Sequence, residues 1–259
     1  MPQIAIVTLT YNNSTEFERT ARSLLASRKK GLNFRWIIVD GGSSTQHLKL
    51  IENSMSLGDT LIIEKKRGIY RAMNVGLDAI GNESHAVFLN SGDCQHPNFA
   101  DLSIDLDENK SYCFDAILNA GPYSFYRPPL ISKRSALMLP LHSAFLFRTK
   151  DSKLSQFETD RQVDADSRWM NQLLKKGGLE YVPIPHSIFY VDGVSAGQSW
   201  AALLAILKDK PWFRAPAYIT RFLGFKLLGW HLYPILYRFK FVRLSDTEVY
   251  NTTNKSGTT

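Results

Sequence analysis

Residues 34–44 read FRWIIVDGGSS, and this stretch decides the fold. Phe34, Trp36, Ile37, Ile38 and Val39 put apolar side chains on both faces of an extended chain. That is the pattern of a strand covered from both sides, as in a parallel sheet between helices. The run stops at Asp40-Gly41-Gly42-Ser43-Ser44. Such an ending either turns into a helix and does nothing more, or presents an acid and a closely approachable backbone to a ligand. It lacks the GxGxxG spacing of a dinucleotide fingerprint.

The flanking sequence repeats the theme. Ile4–Leu9 reads as a short buried strand. Thr15-Glu16-Phe17-Glu18 has the capping-box spacing of a helix start. Phe17, Ala21, Leu24 and Leu25 share one helical face, and Lys29-Lys30-Gly31 reads as the stop. Downstream, the pattern predicts a helix over Thr45–Ser56, a strand over Thr60–Ile63, a helix over Ile69–Ile80 and a strand over His85–Leu89. Strands alternating with helices predict an α/β fold with a Rossmann-like, mostly parallel sheet flanked by helices. In such sheets ligands bind beyond the carboxyl ends of the strands. Three polar clusters fall there: Thr10–Asn13, Asp40–Ser44 and Asn90–Asp93.

Composition narrows the class. The 259 residues are 44% hydrophobic and 21% charged, which excludes a disordered chain. The net charge of +7 suits nucleic acid, anionic membrane or phosphorylated substrates without choosing among them. Two cysteines, Cys94 and Cys113, imply no disulfide framework. The N-terminal MPQIAIVTLTYNN has no basic and apolar leader pattern, and no uncharged run approaches the roughly 20 residues of a membrane span. The expectation is a cytoplasmic protein, with any membrane contact peripheral, on the inner face of the plasma membrane.

The second half reads differently. Pro97, Pro122, Pro128, Pro129 and Pro140 break residues 94–160 into irregular pieces, and a helix resumes around Asp166–Lys176. Beyond Gly197, aromatics such as Trp200, Trp212, Phe213, Tyr218, Phe222 and Phe225 interleave with Lys208, Arg214, Arg221 and Lys226. This helical extension, 198–245, suits either an anionic lipid surface or a packed subdomain with a solvated face. Residues 246–259 read as a disordered tail.

Several residues could carry chemistry. VFLNSGD, residues 87–93, is an apolar run delivering one carboxylate, Asp93, to a turn; it serves as a metal ligand or is merely a solvated acid. Lys65-Lys66-Arg67-Gly68 precedes a helix start, where basic side chains and free N–H groups hold anions, or is a solvated charge run. Asp164 and Asp166 open another helix, as a base or as acids favoured by the helix dipole. His142 and His186 read as structural histidines.

Taken together, these segments resemble glycosyltransferase family 2, the GT-A-fold sugar transferases, and most of all bacterial members that build exopolysaccharide and O-antigen chains of lipopolysaccharide. The matching pieces are IVTLTYNN, IIVDGGSST, KKRGIYRAMNVGLDAIG, VFLNSGD, LPLHSAFLFR, VDADSRWMNQLLKKG and FYVDGVSAG, in the family's order over about residues 3–197. The resemblance implies a GT-A catalytic domain over residues 1–197 and an inverting, metal-dependent hexosyltransferase. Its donor would be a UDP- or GDP-linked sugar, and its acceptor a lipid-linked glycan.

By the same resemblance Asp40 contacts the nucleotide base, with Thr8, Tyr11, Asn12, Gly41, Gly42 and Ser43 around it. Arg67, Asn74, Asn90 and Ser91 complete the donor-binding set. Asp93 binds Mn²⁺ or Mg²⁺, Asp166 is the catalytic base, and His142 touches the diphosphate or acceptor. Three departures stand out: Gly92-Asp93 replaces the family's acid pair, Lys66 and Arg71 stand where the family has acids, and His142 is followed by Ser143 rather than Gln. They leave open a non-catalytic homologue acting as an assembly partner. A nucleic-acid-binding protein is the remaining alternative, with no RNP, zinc or helix-turn-helix signature behind it; nucleic acid is not expected as a partner.

Overall fold

A computed structural model describes residues 4–65, 68–100, 106–131, 138–152, 155–160, 165–191, 199–209, 212–237 and 242–244. Strands β1 (Ile4–Thr10), β2 (Phe34–Asp40), β3 (Thr60–Ile63) and β4 (His85–Phe88) pair in parallel in the order β4-β1-β2-β3. The helices α1 (Ser14–Lys29), α2 (Thr45–Ser54) and α3 (Ile69–Asp78) make the crossovers. Alternate side chains feed two cores. Ile4, Ile6, Trp36 and Ile38 join Phe17 and Leu24 of α1 on one face, while Val7, Val39 and Ile37 meet Met73 and Leu77 of α3 on the other. The two-sided burial read from residues 34–39 is therefore what holds the sheet between its helices. α3 packs so closely that a Cβ on Gly76 would lie 2.5 Å from Val7 Cγ1.

The start of α1 differs from the capping-box reading. The helix begins at Ser14 with Asn13 as its N-cap, and Asn13 makes no capping bond. Its Oδ1 instead accepts from Thr10 Oγ1 at 2.6 Å and from the Tyr11 N–H at 3.2 Å, which moves the start ahead of Thr15. The stop is where Lys29-Lys30-Gly31 put it, with Gly31 at φ +95°.

The irregular reading of residues 94–160 is corrected. Strands β5 (Cys94–Gln95), β6 (Ser111–Ala120), β7 (Tyr123–Arg127), β8 (Leu130–Ile131), β9 (Met138–Leu139) and β10 (Phe145–Arg148) lie between the prolines, with the short helices α4 (Pro97–Ala100) and α5 (Thr149–Ser152). After α6 (Ala165–Leu174) comes β11 (Leu179–Tyr190), which runs parallel to β6 and antiparallel to β5. β10, β6 and β7 extend the sheet beyond β4 through antiparallel pairs, and β12 (Val242–Leu244) closes that edge. The fold class is the one read from the sequence, but only its β4-β1-β2-β3 part is purely parallel.

The extension forms α7 (Trp200–Asp209), α8 (Ala215–Leu228) and α9 (Leu232–Tyr237). Tyr233 and Trp230 pack with Leu118 and Phe125 of the β6–β7 hairpin. Gly121, at φ +61°, makes room for the indole of Trp230, whose ring atoms lie 2.4 Å from where a Cβ would be. The expected boundary at residue 197 and the tail 246–259 lie outside the described residues. No helix among the described residues is long and apolar enough to cross a membrane.

Candidate active site

The carboxyl ends of β1, β2 and β4 open into a cleft of about 770 Å³. Tyr11, Gly41, Gly42, Asn90 and Ser91 line it, and Glu64, Lys65 and the start of α3 at Gly68 and Ile69 form the opposite wall. The first two loops are tied together. Asn12, held at φ +49°, donates its N–H to Ser43 Oγ, and its Oδ1 accepts from the Ser44 N–H, each at 2.9 Å. The Tyr11 ring lies against Gly41, where a Cβ would come within 3.1 Å of it.

Asp40 is fully buried at the end of β2. Its Oδ2 accepts from the N–H groups of Gly42 at 2.8 Å and Ser43 at 2.7 Å, so this carboxylate first shapes its own turn. Its Oδ1 is buried with no hydrogen-bond partner among the described residues. Leaving such an acceptor unmatched costs about 1–3 kcal/mol, which a ligand donor or a water would offset. Behind it His47 bridges Thr10 Oγ1 at 2.8 Å and Ser14 Oγ at 2.9 Å. Burial lowers the His47 pKa, against the opposing pull of Asp40.

Two residues of the expected donor set use their side chains inside the fold. Thr8 is fully buried; its hydroxyl donates to the Leu89 carbonyl at 2.8 Å and accepts from Trp36 Nε1 at 2.9 Å, so its side chain belongs to the sheet interior. The Asn74 amide is used up on the backbone of Phe157, giving at 3.0 Å and accepting at 2.7 Å. Lys66, Arg67 and Asp164 lie outside the described residues.

The acids converge next to the cleft, around His142, which Asn90 of the cleft wall approaches at 3.3 Å. Gly92 takes φ +109° so that the turn after β4 can present Asp93, which is nearly buried. α1 grips this turn. Thr20 Oγ1 donates to the Asp93 carbonyl at 2.7 Å and accepts the Gly92 N–H at 2.9 Å, and Arg19 Nε donates to the Gly92 carbonyl at 2.7 Å. The Asp93 carboxylate accepts from the Tyr190 N–H at 3.2 Å, and Arg19 lies 3.5 Å above the Tyr190 ring.

His142, in the 3-10 turn His142–Ala144, stands between two carboxylates. Its Nε2 lies 3.8 Å from Asp93 and its Nδ1 3.8 Å from Asp166, the second residue of α6. Burial lowers the His142 pKa; Asp166 opposes this and the Arg127 charge adds to it. The ring is thus neutral at neutral pH. Asn90 Nδ2 lies 3.3 Å from Nε2, and because an amide nitrogen only donates, the ring proton belongs on Nδ1, toward Asp166.

The oxygens around Asp93 fit a shared metal, not a caged one. Asn90 and Asp93 both meet His142 Nε2, and Asn90 Oδ1 and Ser91 Oγ are buried with no hydrogen-bond partner among the described residues. Among the described residues no group of three or more His, Cys, Asp or Glu is arranged to hold a metal ion. A hard cation here would take Asp93, the Asn90 carbonyl and oxygens from its ligand.

Sequence reasoning missed the groups that position these acids: Arg19, Thr20 and Tyr190. Tyr190 lies in the FYVDGVSAG piece but nothing there assigns it this role, and nothing near Arg19 and Thr20 marks them, because each acts on a turn more than 70 positions away. Arg127, at the end of β7, was also missed; burial pushes its pKa down to about 10, and it stays charged at neutral pH.

The glycosyl transferase family 2 model matches residues 5–127. No curated protein sequence matches the chain. Among solved structures, TarS of S. aureus (residues 1–349) in complex with UDP is 17% identical at TM-score 0.57, over 86% of this chain and 72% of that one. TarS in complex with UDP-GlcNAc is 15% identical at TM-score 0.53, over 86% and 73%. The mannosyltransferase PcManGT of Pyrobaculum calidifontis, in complex with GDP-Man and Mn²⁺, is 12% identical at TM-score 0.53, over 100% and 76%. Residues 5–127 thus match the glycosyl transferase family 2 model, and the chain shares the fold of these glycosyltransferase neighbours.

Proposed function

We propose that this chain moves a sugar from a UDP- or GDP-linked donor to a hydroxyl of a glycan acceptor, with inversion at the anomeric carbon, in the assembly of a bacterial surface polysaccharide on a lipid-linked acceptor. The observation that carries the reading is the meeting of Asp93, His142 and Asp166, from three distant segments, beside Asn90, whose side chain reaches His142 and which lines the cleft. The neighbours' complexes with UDP, UDP-GlcNAc and GDP-Man with Mn²⁺ support the donor class.

In this reading the nucleotide lies in the cleft between Tyr11 and Lys65, and the Oδ1 of Asp40 accepts from it. Asp166, partly exposed, takes the proton from the acceptor hydroxyl while that oxygen attacks the anomeric carbon. The bond to the diphosphate breaks on the opposite side, and its electron pair leaves with the phosphate oxygen. His142, neutral with its proton on Nδ1, holds Asp166 in place and separates it from Asp93. Asp93 and Asn90 would hold a divalent cation, which would supply countercharge for the departing diphosphate.

Calorimetric titration with UDP and GDP, with and without Mn²⁺, tests the reading. Binding of one nucleotide, strengthened by Mn²⁺ and weakened by Asp93→Ala, is expected; binding of neither overturns it. Asp166→Asn should abolish transfer and leave nucleotide binding intact, and full turnover by that variant would take the base role from Asp166.

A further inference from the structure

We propose that the outward face of the C-terminal helices is a docking surface for an anionic lipid bilayer. α8 is apolar on two sides. Its inner side buries Phe222 and brings Phe225 against Tyr233. On its outer side Ile219, Leu223 and Leu227 follow one another at four-residue spacing, 39%, 55% and 83% exposed. Trp212 and Phe213, in the turn just before α8, are 86% and 62% exposed. A helix apolar all round is normally covered, and apolar side chains grouped this way mark a contact surface, whereas scattered ones do not.

Charge selects what covers it. Residues 199–237 carry Lys208, Lys210, Arg214, Arg221 and Lys226 against one carboxylate, Asp209. Lys208, Arg214 and Lys226 are exposed, and Arg214 lies beside the exposed Phe213 ring, 5.9 Å from its centroid. A second copy of the chain would set this face against its own image and bring like charges together. A bilayer with anionic headgroups offers apolar depth for the Leu223–Leu227 stripe, a boundary layer for the Trp212 indole and countercharge for the cations. The extension is anchored to the hairpin that carries Arg127, whose charge acts on His142, so the docking face is tied to the element next to the acids.

Flotation of the full chain with vesicles tests this without any catalytic step, so its failure leaves the transferase reading standing. The chain should float with phosphatidylcholine vesicles containing phosphatidylglycerol, stay behind with phosphatidylcholine alone, and release as salt rises. Arg214→Gln or Lys226→Gln should each lower partitioning about fivefold. The double variant L223E/L227E should lower it by about a hundredfold or more. These side chains face solvent, so that variant should keep its circular dichroism and its thermal shift with nucleotide. Absence of flotation, equal flotation on both vesicle types, or a dimer in size-exclusion chromatography that the double variant dissociates would each overturn the proposal.

Discussion

Asn74 separates a structural role from a ligand-binding one. Its amide clasps the Phe157 backbone by two buried hydrogen bonds across 83 positions of sequence. Phe157 in turn stacks on Trp169 at 4.5 Å and meets Phe88 edge-on at 5.4 Å. Asn74→Ala leaves one buried N–H and one buried C=O of Phe157 without that partner. At about 1–3 kcal/mol for each orphaned group, partly relieved by relaxation, the loss comes to about 2–4 kcal/mol. With a urea slope of about 2–3 kcal/mol per M for a chain of this size, the unfolding midpoint falls by about 1 M. Asn74→Asp keeps the acceptor but sets a carboxylate oxygen against the Phe157 carbonyl, so at neutral pH it should fall at least as far. Urea unfolding followed by tryptophan fluorescence gives the midpoints, and calorimetry without denaturant gives UDP and GDP affinity. The expected result is lowered stability with unchanged nucleotide affinity. If Asn74→Ala unfolds with the parent but no longer binds nucleotide, the clasp argument is refuted and Asn74 is a donor contact.

Gly76→Ala gains about 1 kcal/mol of helix propensity but puts a Cβ 2.5 Å from Val7 Cγ1. Overpacking of about 1–3 kcal/mol should outweigh the gain, and Val7→Ala should restore part of it; a variant more stable than the parent would refute the close approach. Thr20→Val removes the hydroxyl that grips the Asp93 turn through two bonds. It should weaken Mn²⁺-dependent nucleotide binding about tenfold, and calorimetry showing no change would sever Thr20 from Asp93. His96 and His186 are buried neutral: burial, aided by the Lys30 charge, lowers His96 to about 4, and burial lowers His186 to about 3 despite its bond to the Ser143 carbonyl. Since these folded values lie below the ordinary 6.5, the unfolded chain binds the extra protons. Stability is therefore full above about pH 6.5 and falls as pH drops toward 3, by up to about 1.4 kcal/mol per pH unit for each histidine. Urea midpoints at neutral pH and at about pH 5 measure this, and a flat profile would contradict the burial of both rings.

What the sequence carried was local. Continuous apolar runs such as Trp36–Val39 announce a strand covered on both faces, and the Phe17–Leu24 periodicity announces its helix, because in both cases the pattern is written in neighbouring residues. β6, with ten residues from Ser111 to Ala120, has no such flank of turn and helix signals, and the nearby prolines read only as helix breaks, whereas Pro97 opens α4 and Pro122 lies in the β6–β7 turn. Asp40 and Asp93 stood out by their place at strand ends and Asp166 by its place at a helix start, and Asp93, His142 and Asp166 do meet. The duties of Thr8 and Asn74 were not legible, since a hydroxyl facing Leu89 and an amide facing Phe157 are decided by partners more than 80 positions away.

That distance has a consequence for how the protein is made. Asp93 receives the Tyr190 N–H across 97 positions, and β5, which follows Asp93, pairs among the described residues with the end of β11. A ribosome adding about 5–20 residues per second exposes Asp93 about 5–20 s before Tyr190 exists. A nascent chain that has reached residue 127 holds the Asp40 turn and Asp93 but lacks His142, Asp166 and Tyr190. The cleft can thus be framed early, while the arrangement around its acids is completed only by the last strand of the main sheet to leave the ribosome before the C-terminal helices. Maturation of the site therefore waits on the arrival of β11.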